Sequence, residues 1–145
     1  MENIKHSWEL KHAPETVWEA LTDASQLSQW LMPNDIKAVK GHHFMFRTSE
    51  ICSLEFDGNI YCEVLEAVPA KKLSYTWQHG PRKGELNVDT VVHWTLKPTA
   101  TGTELTLEHA GFDSRVMVDM YNALNGGWAK NGQTLAKLLD EKVTA

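Results

Sequence analysis

An apolar stripe near the C-terminal end constrains this chain more than any other feature. Met117, Met120, Tyr121, Leu124, Trp128, Leu135, Leu138 and Leu139 recur at three- and four-residue steps and paint one face of a helix read over residues 114–142. Asp119, Asn122, Lys130, Lys137, Asp140 and Glu141 fall largely on the other side. Unbroken, such a helix runs on the order of 40 Å, so its stripe needs a broad partner surface. The stripe also changes along its length. Met and Tyr, which suit adaptable surfaces, fill its first half, and Leu, which suits a tight core, fills its second. The expectation is a helix laid across a curved sheet, closing one side of a cavity. Gly126-Gly127 interrupts the stripe at a cost of roughly 1 kcal/mol per glycine relative to Ala. Either the helix breaks there, or the glycines allow close approach to the sheet.

The sheet is legible upstream. Ile4 to Lys11 reads as a first strand, with Trp8 and Leu10 on one side. Pro14 opens a helix in whose first turn its missing N–H costs nothing, and Val17, Trp18 and Leu21 form the apolar face. Asp23, with Gln26 three residues on, has the spacing of a capping box for a second short helix that buries Leu27 and Trp30. From Asp35 the texture is that of strands: a short one at Ile36 to Val39, one carrying Phe44 and Phe46, then Asn59 to Val68 after the hairpin signal Asp57-Gly58. Leu73 to Gln78, a polar loop over 79–87, and a final hairpin of Val88 to Lys97 and Thr103 to Ala110 complete the run. Alternation puts Val92, Trp94 and Leu96 on one face with Leu105, Leu107 and His109, opposed by polar residues. That pattern belongs to an antiparallel sheet wet on one side. The class is α+β.

Length and charge narrow the function. The chain fits one domain, 1–145. Its net charge of −5, with no basic run, argues against a nucleic-acid partner. The N-terminal residues lack the apolar region of a signal peptide, and no apolar run approaches a membrane span, so a cytoplasmic location is expected. Cys52 and Cys62 fit that compartment as free thiols and form no metal motif. His42 and His43 would point to opposite faces of a strand, and neither a metal nor a cofactor is expected.

Three local patterns occur in order: APETVWEALTD with QLSQW at 13–30, FDGNIYCEVLEAVPAKKLSYTW at 56–77, and GTELTLEHAGF with GGWAKNGQTLAKLL at 102–139. Together they resemble the family named after the activator of Hsp90 ATPase, AHSA1-like, within the START-like group (SRPBCC) that also holds polyketide cyclases and plant stress-pathway proteins. The resemblance implies a helix-grip fold: a curved antiparallel sheet wrapped around a long C-terminal helix, with two short helices after the first strand. It also implies a deep, largely apolar cavity between helix and sheet. Fold alone does not assign activity, and the resemblance does not extend to the extra domain of the eukaryotic Hsp90 co-chaperone, so that activity is not the leading expectation.

In such an architecture, inward sheet positions and cavity walls are the same positions. Phe44, Phe46, Trp77, Trp94, His109, Met117, Tyr121 and Trp128 are therefore the candidate ligand-binding residues, each with core packing as the plainer alternative. His109, as neutral imidazole, offers one donor and one acceptor to a ligand carbonyl or phenol. Glu66 faces inward if Val64 does, and a buried lone carboxylate would be a candidate acid or base; the plainer alternative is a place at the strand's solvated end. No nucleophile motif or phosphate-cradling loop appears, so no catalytic residue is assigned. The leading expectation is a small-molecule binding protein holding a hydrophobic ligand, lipid-like or aromatic and polyketide-like. The alternatives are a cyclase- or hydrolase-type enzyme using His109 or Glu66, and a protein-interaction module with a chaperone partner.

Overall fold

The computed structural model describes residues 1–144, with side chains through Lys142. In chain order it forms β1 (Ile4–Leu10), α1 (Pro14–Thr22), α2 (Ala24–Trp30), β2 (His43–Arg47), β3 (Asn59–Val68), β4 (Lys72–His79), β5 (Val88–Pro98), β6 (Thr103–Ala110) and α3 (Val118–Thr144). The strands make one curved antiparallel sheet, ordered β1-β6-β5-β4-β3-β2. Helix α3 lies on its concave face, and α1 and α2 pack beside it. Period-two alternation determines what meets α3: Val92 pairs with His109 and Trp94 with Leu107, all inward and buried.

Local chemistry accounts for the boundaries. Asp23 caps α2 by accepting the Gln26 N–H at 3.1 Å, but the Gln26 side chain turns to Glu19, so only half of the capping box forms. Helix α3 begins four residues later than its stripe suggests. Asp113 captures the backbone N–H of Arg115 at 2.9 Å and pairs with its guanidinium at 2.8 Å, which holds residues 113–116 in a turn. Ile36 to Val39 is not a strand. Asn34 donates to the carbonyls of Ala24 and Met32 and accepts from Ile36 N–H, while Asp35 accepts from Met45 N–H, so side chains replace the ladder there. Between β2 and β3 lies a turn of 3-10 helix (Cys52–Leu54) and then Gly58 at φ +92, where a Cβ would sit 2.4 Å from the Thr48 carbonyl oxygen.

A bulge shifts the β3–β4 register between Val64 and Glu66: Val64 pairs with Tyr75, but Glu66 pairs with Ser74. Val64 is buried, and Leu65 and Glu66 both face outward. Glu66 is thus no inward carboxylate.

Helix α3 runs unbroken through Gly126-Gly127, and a Cβ at either glycine would meet nothing within 4 Å. Neither a break nor close packing explains them. Close approach falls instead at Gly132, where a Cβ would lie 2.0 Å from Trp8 Cε2. Gly132→Ala is therefore expected to destabilise by at least 1–3 kcal/mol, roughly the cost of overpacking. Gly126→Ala should stabilise by about 1 kcal/mol through helix propensity. Thermal unfolding of both variants checks the contrast, and equal shifts in Tm would contradict the packing of Trp8 on Gly132.

Candidate functional site

Indoles fill most of the space under α3. Trp94 meets Trp8, Trp30 and Trp128 at ring-centroid distances of 6.3, 5.9 and 5.6 Å, and Phe44 and Phe46 close on Tyr75. One region is left open. A cavity of about 150 Å³ lies between the first half of α3 and the ends of β3 and β4. Met120, Ala123, Leu124, Gly127, Trp128 and Asn131 wall it on the helix side, Ile60, Trp77 and His79 on the sheet side, with Phe56, Thr48, Leu31 and Met32 at its margins.

The candidate binding residues separate on this geometry. Trp77 and Trp128 line the cavity, 5.1 Å apart between ring centroids. Phe44, Phe46 and Trp94 lie in the filled part of the core. Met117 precedes α3, and Tyr121 turns away, packing on Phe112 and donating its hydroxyl to the Glu2 carbonyl at 2.9 Å.

His109 is fully buried with both ring nitrogens engaged. The Trp128 indole N–H can only donate, so it makes Nδ1 the acceptor, at 3.0 Å. The proton therefore sits on Nε2 and points to the Thr90 hydroxyl at 2.7 Å, which in turn donates to the Trp77 carbonyl at 2.8 Å. Burial drives the pKa of His109 down to about 3, reinforced by nearby His79 and His93. This histidine ties the roof to the sheet and has no free atom for a guest.

A different histidine borders the cavity. His79 ends β4, is fully buried, and has neither ring nitrogen bonded among the described residues; Trp77 Nε1 is likewise without a partner. Burial lowers the pKa of His79 to about 4, with Asp57 pulling weakly the other way, so the ring is neutral at pH 7. Its ring lies 4.7 Å from that of Phe56 and 6.4 Å from that of Trp77. A sequence signal for it existed: the alternation Leu73, Tyr75, Trp77 continues to position 79, the first residue of what reads as a polar loop.

Among the described residues, no group of three or more His, Cys, Asp and Glu side chains is placed to hold a metal ion. No described helix is long and apolar enough to cross a membrane. The Cys62 thiol is buried and its pKa is pushed well up, which makes it inert.

A curved antiparallel sheet gripping a long C-terminal helix, with two short helices after the first strand, defines a helix-grip protein of the START-like class. The chain belongs to the Activator of Hsp90 ATPase homolog 1-like family, whose pattern matches residues 11–140. Among solved structures it is similar to protein MLL2253 from Mesorhizobium loti, with 34% identity, a TM-score of 0.85, and 97% of this chain and 98% of that one covered. It is also similar to the Aha1 dimer from Colwellia psychrerythraea, at 24% identity and a TM-score of 0.75, covering 94% of each chain. DynU16, a protein of the dynemicin biosynthetic locus, shares the fold at 22% identity and a TM-score of 0.75; the match covers 97% of this chain and 48% of that one. No curated protein matches the sequence.

Proposed function

We propose that this protein binds a small, largely apolar molecule, with at least one ring-sized part seated in the cavity under α3. The observation that carries the reading is the cavity itself: about 150 Å³, partly open to solvent, with mostly apolar and aromatic walls. Engineered apolar cavities of about this size in other proteins take up benzene. Within the expected class of hydrophobic ligands, this volume favours a flat ring over a long acyl chain. Binding fits the side chains better than catalysis does. His109 has both nitrogens committed and Glu66 points outward.

The unexplained pair Gly126-Gly127 supports this reading, because Gly127 lines the cavity and a Cβ there would project into open space. Gly127→Leu is expected to fill the cavity while improving helix propensity by roughly 1 kcal/mol. Titration of toluene, followed by methyl and indole chemical shifts, should show saturable binding in the native protein and at least tenfold weaker binding in Gly127→Leu. Equal affinity in the two would place the site elsewhere and overturn the proposal.

A further inference from the structure

We infer that the cavity selects a neutral ring carrying one oxygen, a phenol or an aryl ketone, and that Trp77 and His79 are its polar anchor. The inference rests on the binding reading above and adds the chemistry of recognition.

The interior is otherwise careful with its polar atoms. The indole N–H of Trp30 donates to the Ala20 carbonyl, that of Trp94 to the Tyr75 hydroxyl and that of Trp128 to His109. Buried Thr90 and Thr103 donate to the carbonyls of Trp77 and His12. Four buried side-chain nitrogens and oxygens lack partners among the described residues, and three of them are Trp77 Nε1 and the two nitrogens of His79, residues that both line the cavity. The fourth, Thr99 Oγ1, lies in the β5–β6 turn. Orphaned polar atoms in native proteins are few and call for an explanation. Phe or Leu at position 79 would match the Phe56, Ile60 and Leu124 around it and remove two of the three orphaned nitrogens at the cavity wall. A local rule broken at a cavity wall marks function.

The anchor's chemistry defines the guest. An indole N–H donates only, and a neutral imidazole donates through one nitrogen and accepts through the other. The pair thus offers two donors and one acceptor. A phenol oxygen accepts from Trp77 and donates its proton to His79, while a ketone oxygen accepts from both. A carboxylate fares worse, since no Lys or Arg lines the cavity to offset the loss of its hydration.

Three one-ring probes at pH 7 test this by calorimetry: toluene, phenol and benzoate. Phenol is expected to bind about tenfold tighter than toluene, the return from one or two net hydrogen bonds, and benzoate weakest of the three. In His79→Phe and, independently, Trp77→Phe, the preference for phenol should vanish while toluene binding persists. The ring nitrogens of His79 should also shift on adding phenol to the native protein. Equal binding of phenol and toluene, or a preference that survives both substitutions, overturns the anchor and leaves the cavity reading standing. Failure of all three probes to bind overturns the cavity reading itself.

Discussion

Lowering the pH from 7 to 4 is expected to remove several kcal/mol of stability, chiefly through two histidines. Burial holds His79 at about 4 and His109 at about 3 in the folded protein, against roughly 6.5 for an unfolded histidine. The unfolded chain therefore binds protons first as the pH falls. The contribution of each group is complete above about pH 6.5 and is lost progressively toward its folded value. Each fully open window contributes a slope of about 1.4 kcal/mol per pH unit, so the pair together is worth on the order of 5 kcal/mol by pH 4. Such a loss is comparable to the whole stability of many domains. Urea unfolding at pH 7, 6, 5 and 4 checks it. His79→Phe should roughly halve the slope and raise the stability at every pH, because it also removes two unpaired nitrogens. A stability independent of pH between 6 and 4 would mean that these rings are hydrated, against their burial.

Strong patterns predicted their elements well. Asn59–Val68 and Thr103–Ala110 have the bounds that alternation and turn residues suggest, and the inward set of β5 and β6 follows from parity. Failures came where a side chain took over the backbone. Asn34 and Asp35 consume the hydrogen bonds that Ile36 to Val39 would need for a strand, and Asp113 delays α3 in the same way. The bulge at Val64 was invisible because two adjacent apolar residues fit either register, and it turns Glu66 outward.

The site was less legible than the fold, for a different reason. Alternation tells which side chains point inward, but not which of them leave a gap. Phe44, Phe46, Trp77, Trp94 and His109 are all inward and buried, yet of these only Trp77 borders the cavity. Whether an inward position meets a hole depends on the summed volumes of its neighbours, and here three indoles, those of Trp8, Trp30 and Trp128, pack around Trp94 in that half of the interior. Polar satisfaction is equally non-local. His109 finds Trp128 nineteen residues away and Thr90 nineteen the other way, whereas His79 finds no one.

The bond between His109 and Trp128 is expected to be one of the costliest in the protein to break, because it joins α3 to the sheet between two buried side chains. His109→Leu keeps the volume approximately but strips the Trp128 N–H and the Thr90 hydroxyl of their shared partner. Thr90 keeps its bond to the Trp77 carbonyl, so the cost is chiefly that of stranding the Trp128 N–H, about 1–3 kcal/mol. Trp128→Phe removes the donor, leaves Nδ1 of His109 unpaired and opens a gap beside the cavity, for a loss of similar size. Combining the two should cost less than the sum by about 1–2 kcal/mol, since once one partner is apolar the other has no bond left to lose. Denaturant unfolding of the two single variants and the double variant at pH 7 gives that coupling. Strict additivity would mean that the 3.0 Å contact carries no energy, and the roof would then be held by apolar packing alone. The same variants separate this tie from the cavity anchor. His109→Leu leaves Trp77 Nε1 and His79 in place, so phenol should still be preferred to toluene in a weakened fold, whereas His79→Phe strengthens the fold and loses the preference. Stability and recognition, on this account, reside in two histidines, one satisfied and one left open.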